Sequence, residues 1–216
     1  MGAESENHVE AILQLLFTEL KQATQASAKN CQTVAEHLNQ EVQRICLESQ
    51  RIQASGAIAD WAVTLARHRL TQCLDYYKLG SRKGRVELHS TLSAIVYRYL
   101  ANPQGQSSYQ ARLVLIEDFL QGFYIESLNA FRRETQLPST YSPRSLLDLA
   151  EYMAFTERYA KRRIPLPGRR NQQLIVLRAQ AFSRQQPVDL LVDIQQMAIG
   201  ASLEPDLLRS PASLQQ

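Results

Sequence analysis

YSPRSLLDLAEYMAFTERYAKRRIPLPGRRNQQLIVLRAQAFSRQQP, residues Tyr141 to Pro187, holds two helical patterns that meet at a short turn crowded with positive charge. Ser142 followed by Pro143 reads as an N-cap and a proline at the first helical position, where the missing N–H costs nothing. Leu146, Leu149, Ala150 and Met153 then recur at helical spacing. Pro165 and Pro167 cannot continue that helix and Gly168 supplies a turn position, so it ends near Arg163. A second helix is expected from Arg169 onward, with Leu174, Leu177 and Ala181 along one side. Six cations, Arg158, Lys161, Arg162, Arg163, Arg169 and Arg170, surround the corner, and no acid lies between Arg158 and Arg184.

The composition points to helices throughout. At 216 residues and 44% apolar content the chain can bury a real core. It has only eight glycines and long runs of Leu, Ala, Gln, Glu and Arg. No convincing strand is found. Asn7 and Glu10 stand at the spacing of a capping box before a helix carrying Val9, Ile12, Leu13, Leu16, Phe17 and Leu20. A second helix, about Ala28 to Gln53, carries Cys31, Ala35, Leu38, Val42, Ile45 and Ile52 and stops at Ser55-Gly56. These two are read as a hairpin, or as an arm gripping a second subunit.

A third helix, about Ile58 to Tyr77, buries Trp61, Leu65, Leu70, Cys73 and Leu74. Gly80-Ser81-Arg82-Lys83-Gly84-Arg85 is then expected as a basic loop without the spacing of a phosphate-binding Walker loop. A fourth helix, about Val86 to Leu100, brings in Leu88, Leu92, Ile95, Val96 and Tyr99 before a break at Asn102-Pro103 and Gly105. The fifth, about Ser108 to Glu134, is apolar on nearly every face and is expected at the centre of the molecule. A short helix around Val188 to Ala198 and a weakly structured stretch from Glu204 to Gln216 complete the chain. The expected fold is an all-α bundle of about seven helices, with a buried central helix at about 108–134 and a basic helix-turn-helix-like corner at about 143–186. Residues 1–187 are read as a single helical domain and 188–216 as a short helix with an acidic tail.

Charge is unevenly spread. Residues 58–186 carry a net +9, flanked by −3 on each side, which gives the chain its +3. A basic block of this kind favours polyanions. Three cysteines, Cys31, Cys46 and Cys73, make no disulfide framework and fit a reducing, cytoplasmic setting. The apolar opening from Val9 to Leu20 is interrupted by Gln14, Thr18 and Glu19, so neither a signal peptide nor a membrane span is expected. His8, His37, His68 and His89 are scattered one per helix, which argues against a metal site. No nucleophile elbow, catalytic carboxylate signature or phosphate-binding glycine loop singles out an enzyme, and no cofactor is expected.

At the corner, cations stand beside a helix start, whose free N–H groups and dipole also attract phosphate. Arg158, Lys161, Arg162, Arg163, Arg169 and Arg170 are therefore read as contacts to DNA phosphates, with Gln172, Gln173 and Arg178 reaching toward base edges. Arg82, Lys83 and Arg85 form a secondary basic patch. The alternative is that Arg158 to Arg163 complement a helix C-terminus and pair with Asp148, Glu151 or Glu157.

Four stretches, VEAILQLLFTELKQAT, YYKLGSRKGRVELHSTLSAIVYRYL, QARLVLIEDFLQGFYIESLNAFRRE and LAEYMAFTERYAKRRIPLPGRRNQQLIVLRAQAFS, together resemble the HetZ family of cyanobacterial heterocyst-differentiation proteins. The resemblance covers about Val9 to Pro187. It implies a transcription regulator in the control of differentiation, with DNA and other regulators as partners. Because the family continues into a further region resembling a sigma-factor helix-turn-helix, a short or truncated member is expected here. Two function classes stand side by side: a DNA-binding regulator, with a homodimer as the expected assembly, and a helical interaction protein that binds another regulator without touching DNA.

Overall fold

The computed structural model describes residues 2–100 and 109–185, with the side chains from His8 onward other than that of Arg169. Among these residues it is all-α, with seven helices and one two-stranded hairpin. They form two compact units, one built from the residues up to Thr91 with Tyr124–Lys161, the other from Leu92–Phe123 with the residues from Arg162 onward. The expected break at 102–105, the helix at 188–198 and the tail at 204–216 lie outside the described residues.

In the first unit, α1 (Gly2–Ala23) packs along α2 (Ala28–Glu48) as a helical hairpin. Ile12, Leu16 and Leu20 recur every four residues on α1 and are buried, as are Cys31, Val34, Ala35, Leu38, Val42 and Cys46 on α2. These stripes serve the core of the chain itself rather than an arm. Ser27 caps α2 by accepting from the Asn30 N–H at 3.2 Å. The helix runs back to Gly2 through Asn7, so Asn7 does not begin it as the capping-box spacing suggested.

The second expected helix divides in two. Ser49 takes an extended backbone (φ −82°, ψ 104°), ends α2 and caps α3 (Gln50–Ser55) by accepting from the Ile52 N–H at 3.4 Å. The expected loop at 80–85 shrinks to one residue: α4 (Ile58–Val96) is two helical stretches joined at a kink at Gly80, whose φ of 76° and ψ of 174° belong to a region essentially reserved for glycine. A side chain at Gly84 would meet Met153, its Cβ standing 2.7 Å from Cε, so this glycine lets α4 approach the helix that carries Met153.

Helix α5 (Tyr109–Glu134) buries one continuous stripe from Ala111 through Leu115, Phe119 and Phe123 to Phe131. Its apolar surface is not closed on all sides, because Val114 is 48% and Ile125 65% exposed. Helix α6 (Leu146–Lys161) starts later than the Ser142-Pro143 reading placed it. Ser145 and Asp148 form the capping pair: Ser145 Oγ accepts from the Asp148 N–H at 3.1 Å, and Asp148 Oδ2 accepts from the Ser145 N–H at 3.0 Å. Ser142 has Ser145 three residues on, which cannot return the bond as a carboxylate does.

In the first unit, Ser127 and Thr156 share a buried hydrogen bond of 2.7 Å, and Phe131 meets Phe155 and Tyr152 edge-on at 5.2 and 5.8 Å between ring centres. The second unit gathers Leu92 and Val96 of the α4 end, Leu100 in the turn after it, the first half of α5, and Ile175, Val176 and Ala179 of α7 (Leu174–Gln185). Phe119 packs against Phe123 and Phe182. The buried face of α7 is thus turned from the expected Leu174, Leu177 and Ala181. No helix among the described residues is long and apolar enough to cross a membrane.

Candidate functional site

The basic corner folds as helix, hairpin, helix. Strand β1 (Arg163–Leu166) and strand β2 (Arg169–Gln173) pair antiparallel around Pro167-Gly168, where the expectation was a bare turn followed by a helix from Arg169. The cause is local. A residue before proline is pushed out of the helical region toward extended backbone, and both Ile164 and Leu166 precede prolines. Pro167 followed by Gly168 at φ 68° supplies the residue order that a type II turn requires. The Leu174 N–H donates to the Arg162 carbonyl at 2.8 Å and closes the base of the hairpin, so α7 begins only at Leu174.

The pairing fixes which side chains share a face. Arg163 lies opposite Gln173 and Ile164 opposite Gln172; between these pairs and Leu166 opposite Arg169 the register shifts, because β2 carries two residues, Arg170 and Asn171, against the single Pro165 of β1. Partners directly opposite project to the same side and neighbours along a strand to opposite sides. Arg163 is exposed and Ile164 half-buried, so Arg163, Gln173 and, two residues along β2, Asn171 belong to the solvent face. Gln172 belongs to the inner face with Ile164. An open groove of about 400 Å³ runs along the hairpin, lined by Tyr99, Leu166 and Val176 together with Arg163, Arg170, Asn171, Gln172 and Gln173. Arg163, Arg170, Asn171, Gln172 and Gln173 make no side-chain hydrogen bond or ion pair among the described residues.

Four of the expected DNA-binding residues, Arg163, Arg170, Gln172 and Gln173, are therefore brought together on one hairpin. Arg162 is exposed at its base, and Arg178 is exposed on α7. The side chain of Arg169 lies outside the described residues. Asn171 is the residue that the helical reading missed; strand alternation is the signal that places it beside Gln173.

Arg158 is engaged elsewhere. It belongs to the first unit, where its guanidinium donates to Glu41 Oε2 at 2.7 Å and to Glu41 Oε1 at 3.3 Å, and its side chain is 12% exposed. Arg69 Nε holds the same carboxylate at 2.9 Å. Burial alone would raise the Glu41 pKa, but Arg158 and Arg69 outweigh it and lower it. The cation is thus consumed by a partner far away in sequence rather than by Asp148, Glu151 or Glu157. Lys161 does pair with Glu157, one turn back on α6. Arg82, Lys83 and Arg85 are exposed on α4 just past the Gly80 bend.

A second buried polar pair lies in the first unit. His37 Nδ1 and Glu151 Oε1 are 3.0 Å apart, and Glu151 Oε2 is buried with no partner among the described residues. Burial raises the Glu151 pKa. Burial alone would lower that of His37, but the bond to Glu151 and the charges of Glu151, Glu36 and Asp148 raise it. No group of three or more His, Cys, Asp or Glu among the described residues is placed to hold a metal ion. The cysteines are free and buried, and burial pushes the Cys73 thiol well above its ordinary range.

Neither the curated proteins nor the solved structures compared with the chain give a match. A family model does: it aligns with residues 12–216, past the point near Pro187 where the resemblance of single stretches stopped, and takes in the hairpin with both its flanking helices. On that match the chain belongs to the heterocyst differentiation protein HetZ-like family.

Proposed function

We propose that this chain is a transcription regulator that binds duplex DNA through the cations of the β1–β2 hairpin and so takes part in controlling cell differentiation in a cyanobacterium. The observation that carries the reading is the hairpin itself: exposed Arg162, Arg163 and Arg170 lie in a stretch without a single acid from Arg158 to Arg184. Arg163 and Arg170 are not committed to carboxylates among the described residues, unlike Arg158. Exposed guanidiniums uncommitted to carboxylates suit phosphates, which they can grip with paired N–H donors.

The test is a titration of labelled duplex at several salt concentrations, comparing the parent with Arg162→Ala/Arg163→Ala and Arg169→Ala/Arg170→Ala. Removing one phosphate-binding cation is expected to lower the salt slope by about 0.9 and to weaken binding to all sequences alike. If the parent binds and both double variants keep its affinity and slope, the hairpin is not the site and Arg82, Lys83 and Arg85 become the candidates. A second reading, a helical module that binds another regulator, is favoured by Val86 and Ile125 of the first unit, both 65% exposed. It takes over when no duplex is bound while a purified regulator is. A homodimer is the assembly proposed, since readers of symmetric sites are commonly dimers; sedimentation showing only monomer at about 50 μM, equivalent to a Kd weaker than that range, counts against it.

A further inference from the structure

We propose that the solvent face of the hairpin enters the major groove and reads base edges, with Asn171 and Gln173 each taking an adenine two base steps apart and Arg163 taking a neighbouring guanine. This rests on the DNA-binding reading above and adds to it which element reads sequence, which face of it, and which bases; it moves Arg163 from a phosphate to a base edge, so that in the Arg162→Ala/Arg163→Ala variant only Arg162 carries the sequence-independent loss and the lost Arg163 relaxes the guanine position. The strand register places Gln173 opposite Arg163, and Asn171, exposed and one step beyond the regularly paired Gln172 at the edge of the register shift, is placed on the same side. Arg163 and Asn171 are exposed and Gln173 half-exposed, and none of the three spends its side chain on a hydrogen bond among the described residues.

The dimensions agree. A two-stranded ribbon fits a major groove about 12 Å wide. Side chains at i and i+2 on one strand face are about 6.7 Å apart, and two base-pair rises of about 3.4 Å come to nearly the same distance. Asn171 and Gln173 can therefore meet alternate base pairs without either leaving its strand geometry. Arg163, about 5 Å across the ribbon from Gln173, falls beside the same stretch of groove. The chemistry is that of the amide and guanidinium pairs: Asn or Gln donates to adenine N7 and accepts from N6, and Arg donates to guanine O6 and N7. Gln172 is left out because it shares the inner face with Ile164. Arg170 remains a phosphate contact.

The full chain is used to select binding sites from a random duplex pool, followed by Asn171→Ala and Gln173→Ala on the selected site. Each variant is expected to lose about 5- to 100-fold in affinity for that site, to accept any base at one position, and to keep the parent's non-specific affinity and salt slope, since neither side chain is charged. Replacing the selected adenines by 7-deaza-adenine, which removes the N7 acceptor and leaves the minor groove unchanged, is expected to cost the parent a comparable factor and each variant little at its own position. Far-UV circular dichroism of both variants confirms that they fold. The proposal is overturned when the parent binds duplex with strong salt dependence but selects no sequence, or when the preference survives either substitution or the 7-deaza bases; in those cases the phosphate-binding reading stands. Failure of the parent to bind any duplex overturns both.

Discussion

Glu41 holds two guanidiniums within 3 Å, Arg69 at 2.9 Å and Arg158 at 2.7 Å, in a part of the first unit where water reaches none of the three freely. Removing the acid leaves two cations facing each other, and breaking a buried pair of this kind costs about 3 kcal/mol or more. Glu41→Ala is expected to lose about that much in urea unfolding, whereas Arg158→Ala, read at matched folded concentration, should leave duplex affinity and salt slope as they are. A drop in salt slope for Arg158→Ala would return this residue to the DNA-binding set. His37 and Glu151 add a pH dependence. Both have pKa values raised on folding, so their contribution is fully present below the ordinary values and is lost as pH climbs through the raised ones. Glu41 works in the opposite sense: its lowered pKa gives stability above the ordinary 4.5 that is lost as pH falls. Stability should therefore decline as pH rises above the ordinary 4.5 of Glu151 and further above the ordinary 6.5 of His37, and Glu151→Gln should flatten that arm while leaving the acid arm. Urea unfolding between pH 4 and 9 decides it; equal alkaline slopes in the two proteins would rule the pair out. The fate of Arg158 was not legible in the sequence, because its partner Glu41 lies 117 residues away and only the folded chain brings them together.

Gly80 shows how little backbone is needed to turn a loop into a bend. The stretch 80–85 reads as a basic loop because of its two glycines, yet only Gly80 leaves helical geometry, while Gly84 stays helical with the Met153 side chain against it. Gly80→Ala is expected to cost about 1–3 kcal/mol, since φ 76° with ψ 174° is closed to side chains. Gly80→Asn should fare no better, because asparagine tolerates the left-handed helical region and not this one; a shift in thermal midpoint measures both, and an unchanged midpoint in either would mean that α4 can run straight. Phe123, buried and stacked on Phe119, should tolerate aspartate poorly, with several kcal/mol lost to an unpaired buried carboxylate. Apolar periodicity made the helices legible, as Ile12, Leu16 and Leu20 show. Their ends were less so: Ser145 competes with Ser142 for the cap and only Asp148 decides, while the burial of α7 on Ile175, Val176 and Ala179 follows from a hairpin that pushes its start to Leu174. The hairpin was written in the sequence as two prolines, each fixing the residue before it, but four- and five-residue strands rich in Arg and Gln carry almost no alternation to betray them.

Across the whole chain, the charge distribution and the all-helical class were legible, since both are sums over many residues. The two compact units were not, because two of their three boundaries, Thr91/Leu92 and Phe123/Tyr124, fall inside α4 and α5 rather than in a linker, and only the third, Lys161/Arg162, lies between elements. No glycine- or proline-rich stretch marks either crossing. The order of segments has a practical meaning for genetics. Leu92–Phe123 belongs to the second unit but is threaded between the two halves of the first. Any terminal truncation that reaches past Lys161 or before Thr91 removes one half of a unit and strands the other half, with its apolar stripe, in water. A deletion series is expected to abolish every property at once, seen as loss of cooperative unfolding and of soluble yield, and would credit each segment with all functions. Single substitutions on the hairpin, which leave both halves of both units in place, are the route by which recognition can be separated from folding.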